Sequence, residues 1–143
     1  MKSVLTRAVL GFGAAFMLVV IASAEQLKGN IGSAAGSNWQ SSWIDLASRT
    51  DFKRGERLKL VVRGNAENVV IRLLPQGSHP TTPDGILGDV MKVPKGGVLE
   101  VALNEDRRNV VQVSVHAGPN AWNISLGDKN GHVTLTSVER TPR

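Results

Sequence analysis

The aromatic side chains that follow Ala24 are Trp39, Trp43, Phe52 and Trp122. An indole can cover the apolar face of a pyranose ring while nearby amides bind its hydroxyls, which holds a sugar without reacting with it. Trp122 follows Gly118-Pro119-Asn120-Ala121 and precedes Asn123, so Trp122 with Asn120 and Asn123 is the leading candidate for such a site. Trp39, in a stretch rich in Gly, Ser and Ala, is the second. Trp43 adjoins Ile44 in a run of strand character and is assigned to the interior.

Other chemistries find less support. The absence of Cys excludes a disulfide scaffold, a thiolate zinc site, an iron–sulfur cluster and a cysteine nucleophile. His79, His116 and His132 are far apart in sequence, with no helical metal-ligand spacing. His79 shares a Pro-stiffened loop with Asp84, but an imidazole and one carboxylate are ordinary loop residues without a third member. His116 ends a strand on its polar face, where solvent exposure accounts for it. No Gly-x-Ser-x-Gly elbow occurs. Acid pairs such as Asp84 with Asp89, or Asp45 with Asp51, would need a deep cleft to cleave a glycosidic bond. Calcium is the metal that the loops around Asp84-Gly85, Asp89 and Asp128-Lys129-Asn130-Gly131 could hold through oxygen ligands, although Asp-Gly and Asn-Gly are first of all turn chemistry. No cofactor is implied, and a non-catalytic domain is expected. Asn123-Ile124-Ser125 is a glycosylation sequon, meaningful only in a eukaryotic source.

The beginning of the chain is an address. Lys2 and Arg7 precede an uncharged, mostly apolar run from Ala8 to Ile21, and Ala22-Ser23-Ala24 supplies small residues before Glu25. That is the pattern of a secretory signal peptide, and the run falls short of the roughly 20 residues that span a bilayer. Residues 1–24 are therefore expected to be removed, leaving no stable membrane insertion and a secreted or periplasmic product. The chain carries 17 basic and 12 acidic residues, and removal takes Lys2 and Arg7 but no acid. The remaining bases are interleaved with acids, as in Asp51-Phe52-Lys53-Arg54-Gly55-Glu56-Arg57. A nucleic-acid footprint would need one sign clustered with aromatics, so no nucleic-acid partner is expected.

The elements that must position these residues repeat with a period of two. Leu58, Leu60 and Val62 alternate with Lys59, Val61 and Arg63; Val69, Ile71 and Leu73 alternate with Arg72. Gly64-Asn65-Ala66-Glu67 between these runs reads as a hairpin turn. Leu99, Val101 and Leu103 point inward on a third strand, and Val111, Val113 and Val115 on a fourth, with Gln112, Ser114 and His116 outward. Ser42 to Leu46, Asp89 to Val93 and His132 to Val138 bring the count to about seven. No sustained helical period appears in the mature chain. The prediction is one all-β domain over residues 41–143, an antiparallel β-sandwich, preceded by a flexible lead-in over residues 25–40.

Ser41-Ser42-Trp43-Ile44-Asp45-Leu46 followed by Phe52-Lys53-Arg54-Gly55-Glu56-Arg57-Leu58 resembles the entry strands of galactose-binding-like jelly-roll domains of secreted proteins, and Val110 to His116 resembles their late core strand. The resemblance covers most of Ser41 to His116 through its alternation. It implies a jelly-roll sandwich that binds sugar on end loops or on a concave face, often with a structural calcium. It carries no binding residue across by motif. The expected function is an exported, non-catalytic module for carbohydrate of the cell envelope or surroundings. The rival expectation is a structural or protein-interaction sandwich with no small ligand.

Overall fold

Period-two alternation commits each strand to one inward face, and two such faces can be dried only against each other. The computed structural model describes residues 23–79, 84–118 and 131–142. Among these, nine strands form: β1 Glu25–Gln26, β2 Gly29–Ala35, β3 Gln40–Phe52, β4 Arg57–Gly64, β5 Asn68–Pro75, β6 Ile86–Lys92, β7 Val98–Ala102, β8 Arg107–Ala117 and β9 Val133–Thr141. All pairings are antiparallel. One sheet has the order β1-β9-β4-β7 and the other β2-β3-β8-β5-β6, a sandwich-like pair around one core. Leu58, Leu60, Val62, Leu99, Leu135 and Val138 from the first, with Leu103 just after β7, meet Ile44, Val69, Ile71, Leu73, Val113 and Val115 from the second. Val101 packs on the rim of that core.

Four local expectations change. The strand count rises because residues 25–26 and 29–35, expected to lie in a lead-in, pair with β9 and β3 and extend both sheets. Gly64 to Glu67 does not close a hairpin, since β4 and β5 belong to different sheets. Ala66 turns into the core, Ala66 N–H donates to the His132 carbonyl and His132 N–H donates to Asn65 Oδ1, so the segment rounds a corner between sheets. Gly64 adopts φ 120°, and a Cβ there would stand 2.1 Å from the His132 carbonyl oxygen, so only glycine fits.

The third change lies in β8. Gln112 pairs with Leu74 and Val110 with Pro75, so β8 spends one residue more than β5 between these partners. Val111 is that bulged residue, and the bulge flips the parity. Val110, not Val111, is inward with Val113 and Val115, and Val111 is half-buried. The fourth concerns Trp43, expected in the interior. Ile44 takes that position at 3% exposed, and Trp43, one residue away, faces outward and is half-buried. The two sheets are also joined by polar side chains of β3: Leu135 N–H donates to Ser42 Oγ at 2.8 Å and Val133 N–H to Gln40 Oε1 at 2.9 Å. Ladder donors of β9 are thus satisfied across the gap by side chains.

Candidate binding face

Because Ser42, Ile44 and Leu46 face the core side, Ser41, Trp43 and Asp45 lie on the outer face of the five-stranded sheet. The register sets Ser41 beside His116, Trp43 beside Ser114 and Asp45 beside Gln112. On the other flank of β8, Val70 pairs with His116, Arg72 with Ser114 and Leu74 with Gln112. Three rows therefore cross the sheet: Ser41-His116-Val70, Trp43-Ser114-Arg72 and Asp45-Gln112-Leu74.

An outer face of a sandwich is ordinarily wet, yet here its middle is not. Arg72 and Ser114 are 2% exposed, His116 is 3% exposed, and Val70 and Leu74 are buried with them. His116 was expected at the surface; its parity is as expected and its environment is not. The Ser41 hydroxyl and His116 Nδ1 share a hydrogen bond, and the Trp39 ring stacks on the imidazole with centroids 5.7 Å apart and planes inclined by 17°. Burial pushes the imidazole down to about 4, the Arg72 charge adds to the depression, and a backbone hydrogen bond at Gly118 opposes it. His116 is therefore neutral at neutral pH. Burial also lowers the Arg72 guanidinium, with the Asp84 carboxylate acting in the opposite sense. Among the described residues, the charge acting on His116 is the Arg72 cation.

Glycines of and beside β2 make room for both indoles. A Cβ at Gly32 would stand 2.9 Å from Trp43 ring atoms, and one at Gly36 2.0 Å from Trp39 Nε1. Trp39 is half-buried in this arrangement, so the second sequence candidate sits on the sheet face, against His116. At the end of β8, a Cβ on Gly118 would stand 2.3 Å from the Asn38 carbonyl oxygen, which brings the β8 terminus against the Asn38-Trp39 backbone. Asn120, Trp122 and Asn123 come next in sequence and lie outside the described residues, as do Asp128 and Asn130. At the exposed end of the face, Gln112 Nε2 donates to Asp45 Oδ1 at 2.9 Å, and Arg49 Nη1 donates to Gln76 Oε1 at 2.7 Å.

Of the remaining candidates, His79 and Asp84 are both exposed, and Asp51 Oδ1 is engaged by Asn109 N–H at 2.8 Å. His132 is exposed at one end of the sandwich, where it borders a cleft of about 440 Å³ together with Arg63, Asn65, Glu67 and Lys95. Among the described residues, no group of three His, Asp or Glu side chains comes together as a metal site. Sequence reading set Arg72 and Ser114 opposite the inward residues but gave neither of them, nor Ser41, a place in a site. The available signal was β5 itself, where Val70 and Leu74 put apolar residues on the parity of Arg72, a mark of burial on both faces.

The class of protein that these observations define is a two-sheet antiparallel β domain with a polar, indole-bearing outer face. Compared with protein-family models, with curated proteins and with solved structures, the chain matches none.

Proposed function

We propose that this chain is an exported, non-catalytic binding module of jelly-roll type whose ligand is a carbohydrate of the cell envelope or its surroundings. The observation that carries the reading is the seating of Trp39 and Trp43 outside the core, beside Ser41, His116, Arg72 and Ser114. Half-buried rings held by glycine and imidazole contacts are preorganised, so little side-chain freedom is lost when a pyranose stacks on them. The half-buried Ser41 hydroxyl beside the rings suits an uncharged polyol. Trp122, Asn120 and Asn123 belong to the proposal through their place in the chain directly after Gly118, which abuts Trp39. The charged start and short apolar run before Glu25 support export to the periplasm or cell exterior.

Affinity electrophoresis and a glycan array on the purified protein, with tryptophan fluorescence as reporter, test the assignment. Binding is expected with an indole signal. Trp39→Ala and Trp122→Ala are each expected to weaken it by about tenfold or more while circular dichroism keeps its strand signature, since a stacking anchor contributes about 1–3 kcal/mol. If no glycan binds, the carbohydrate reading fails and a structural or protein-interaction role replaces it; if binding survives both substitutions, the assigned site fails and the sugar is held elsewhere.

A further inference from the structure

Sheet edges carry unpaired N–H and C=O groups, and a fold normally guards them with shortness, charge, proline or a bulge. Among the described residues, three of the four edge strands are guarded. β1 has two residues. β7 has five, with Glu100 ion-paired to Arg57 at 3.5 Å. β6 carries Lys92 and loses register against β5 between Val69 and Ile71.

β2 has none of these guards. Its seven residues, Gly29-Asn30-Ile31-Gly32-Ser33-Ala34-Ala35, contain no charge and no proline, and they pair with β3 without a break from Gly29↔Leu46 to Ala35↔Gln40. All are exposed except Gly32, which is half-buried under Trp43. Ile31, 46% exposed, is one of two large apolar side chains of the described residues left open to water.

The bonds at the two ends of the ladder fix which backbone groups face outward. Ala47 N–H donates to the Lys28 carbonyl and Gly36 N–H to the Trp39 carbonyl, each at 2.9 Å. Hydrogen-bonded pairs alternate along an antiparallel ladder, so Lys28, Asn30, Gly32, Ala34 and Gly36 bond toward β3. Gly29, Ile31, Ser33 and Ala35 then direct their N–H and C=O groups away from the sheet.

We propose that this edge pairs antiparallel with β2 of a second copy of the chain, about a two-fold axis at Gly32, joining two five-stranded sheets into one. That register sets Gly29 against Ala35 and Ile31 against Ser33, so every outward-directed residue meets another outward-directed residue. The two Ile31 side chains become diagonal neighbours on one face, within reach of each other. Strand meets strand without charge. The flanking Lys28 residues fall opposite Gly36, with the two ammonium-bearing positions about 27 Å apart at the rise of an antiparallel strand. The lack of charge to repel a like edge, the unbroken row of outward backbone groups and the exposed Ile31 that meets its own copy across the axis favour a second copy as the occupant, and the pairing is independent of the carbohydrate reading.

Sedimentation velocity on the purified protein over a concentration series tests it, with backbone hydrogen exchange alongside. A concentration-dependent dimer is expected, tightening as salt screens two net-positive copies, with the Ile31 and Ser33 amides protected in the dimer. Ser33→Pro removes an N–H that the β3 ladder does not use, and should raise the dimer dissociation constant about thirtyfold or more, with two hydrogen bonds lost per dimer. Ser33→Ala should leave the constant unchanged. Ile31→Lys, which needs no backbone change, should also disperse the dimer. A monomer at every concentration overturns the proposal. So does a dimer that survives both Ser33→Pro and Ile31→Lys, because its interface would then lie elsewhere.

Discussion

Acid should loosen this fold through His116. The imidazole is 3% exposed and pushed down to about 4, against 6.5 for an unperturbed histidine. Above pH 6.5 the imidazole is neutral in both the folded and the unfolded chain, so it adds no pH dependence. Between 6.5 and 4 the unfolded chain takes up a proton that the folded chain refuses, and stability falls as pH falls. Below about 4 both forms are protonated and the contribution levels off. At 1.36 kcal/mol per pKa unit the full loss is about 3 kcal/mol, a large share of a domain's usual 5–15 kcal/mol. The assay is urea unfolding followed by tryptophan fluorescence at closely spaced pH values, for the native chain and for His116→Gln. Glutamine keeps a polar partner for Ser41 and cannot titrate. Carboxylates also titrate in acid, so the quantity that decides is the difference between the two curves. That difference should open as pH drops from 6.5 and stop growing near 4. Parallel curves through that window would show that the buried imidazole does not control the acid limb.

Three further outcomes follow from the packing. Phe52→Ala, which empties a core position 1% exposed and removes the ring under Arg140, should cost about 3–5 kcal/mol, and Trp43→Ala clearly less; thermal unfolding of both variants would reverse the assignment of Trp43 to the outer face if the order came out opposite. Val110→Ala should cost about 2 kcal/mol and Val111→Ala under about 1, because the bulge turns Val110 and not Val111 into the core; equal losses would place the bulge elsewhere. Arg140→Ala should cost about 3–5 kcal/mol in denaturant titration, since it strips the 3.1 Å cation from Glu56, itself 5% exposed; replacing both residues by apolar ones of similar size should recover most of that.

Alternation made most of the sheet membership and nearly the whole inward set readable, because side-chain period depends only on local backbone geometry. What alternation cannot report is a change of parity. Val111 looks as apolar as Val110, and the extra residue that exchanges them is visible only against the partner strand β5. Nor does it report which strands pair. Gly64-Asn65 has hairpin chemistry, and the corner that forms instead depends on His132, distant in sequence. At Trp43 the period was legible and was passed over for adjacency to Ile44: Ser42, Ile44 and Leu46 share one parity, so Trp43 faces the other way. The uncharged, Gly- and Ala-rich composition of β2 resembles a linker, and its order comes from a complete ladder on β3.

The candidate face was harder to read because parity tells which way a side chain points and not what lies over it. His116 and Ser114 were assigned outward, which holds; His116 was also expected to be exposed, and it is buried. The decisive residues are apolar: Val70 and Leu74 share the outward parity with Arg72, and a strand whose two faces are both apolar is covered on both. Within such a layer a guanidinium and an imidazole each cost desolvation, seen in the downward displacement of both groups. Leucine or valine at 72 and 116 would fill the same layer without that penalty, as they do at positions 70 and 74. A fold selected only for stability would favour such a layer. Polar groups kept in place against a desolvation cost, beside indoles seated on glycine, are what the proposed binding role would account for and stability alone would not.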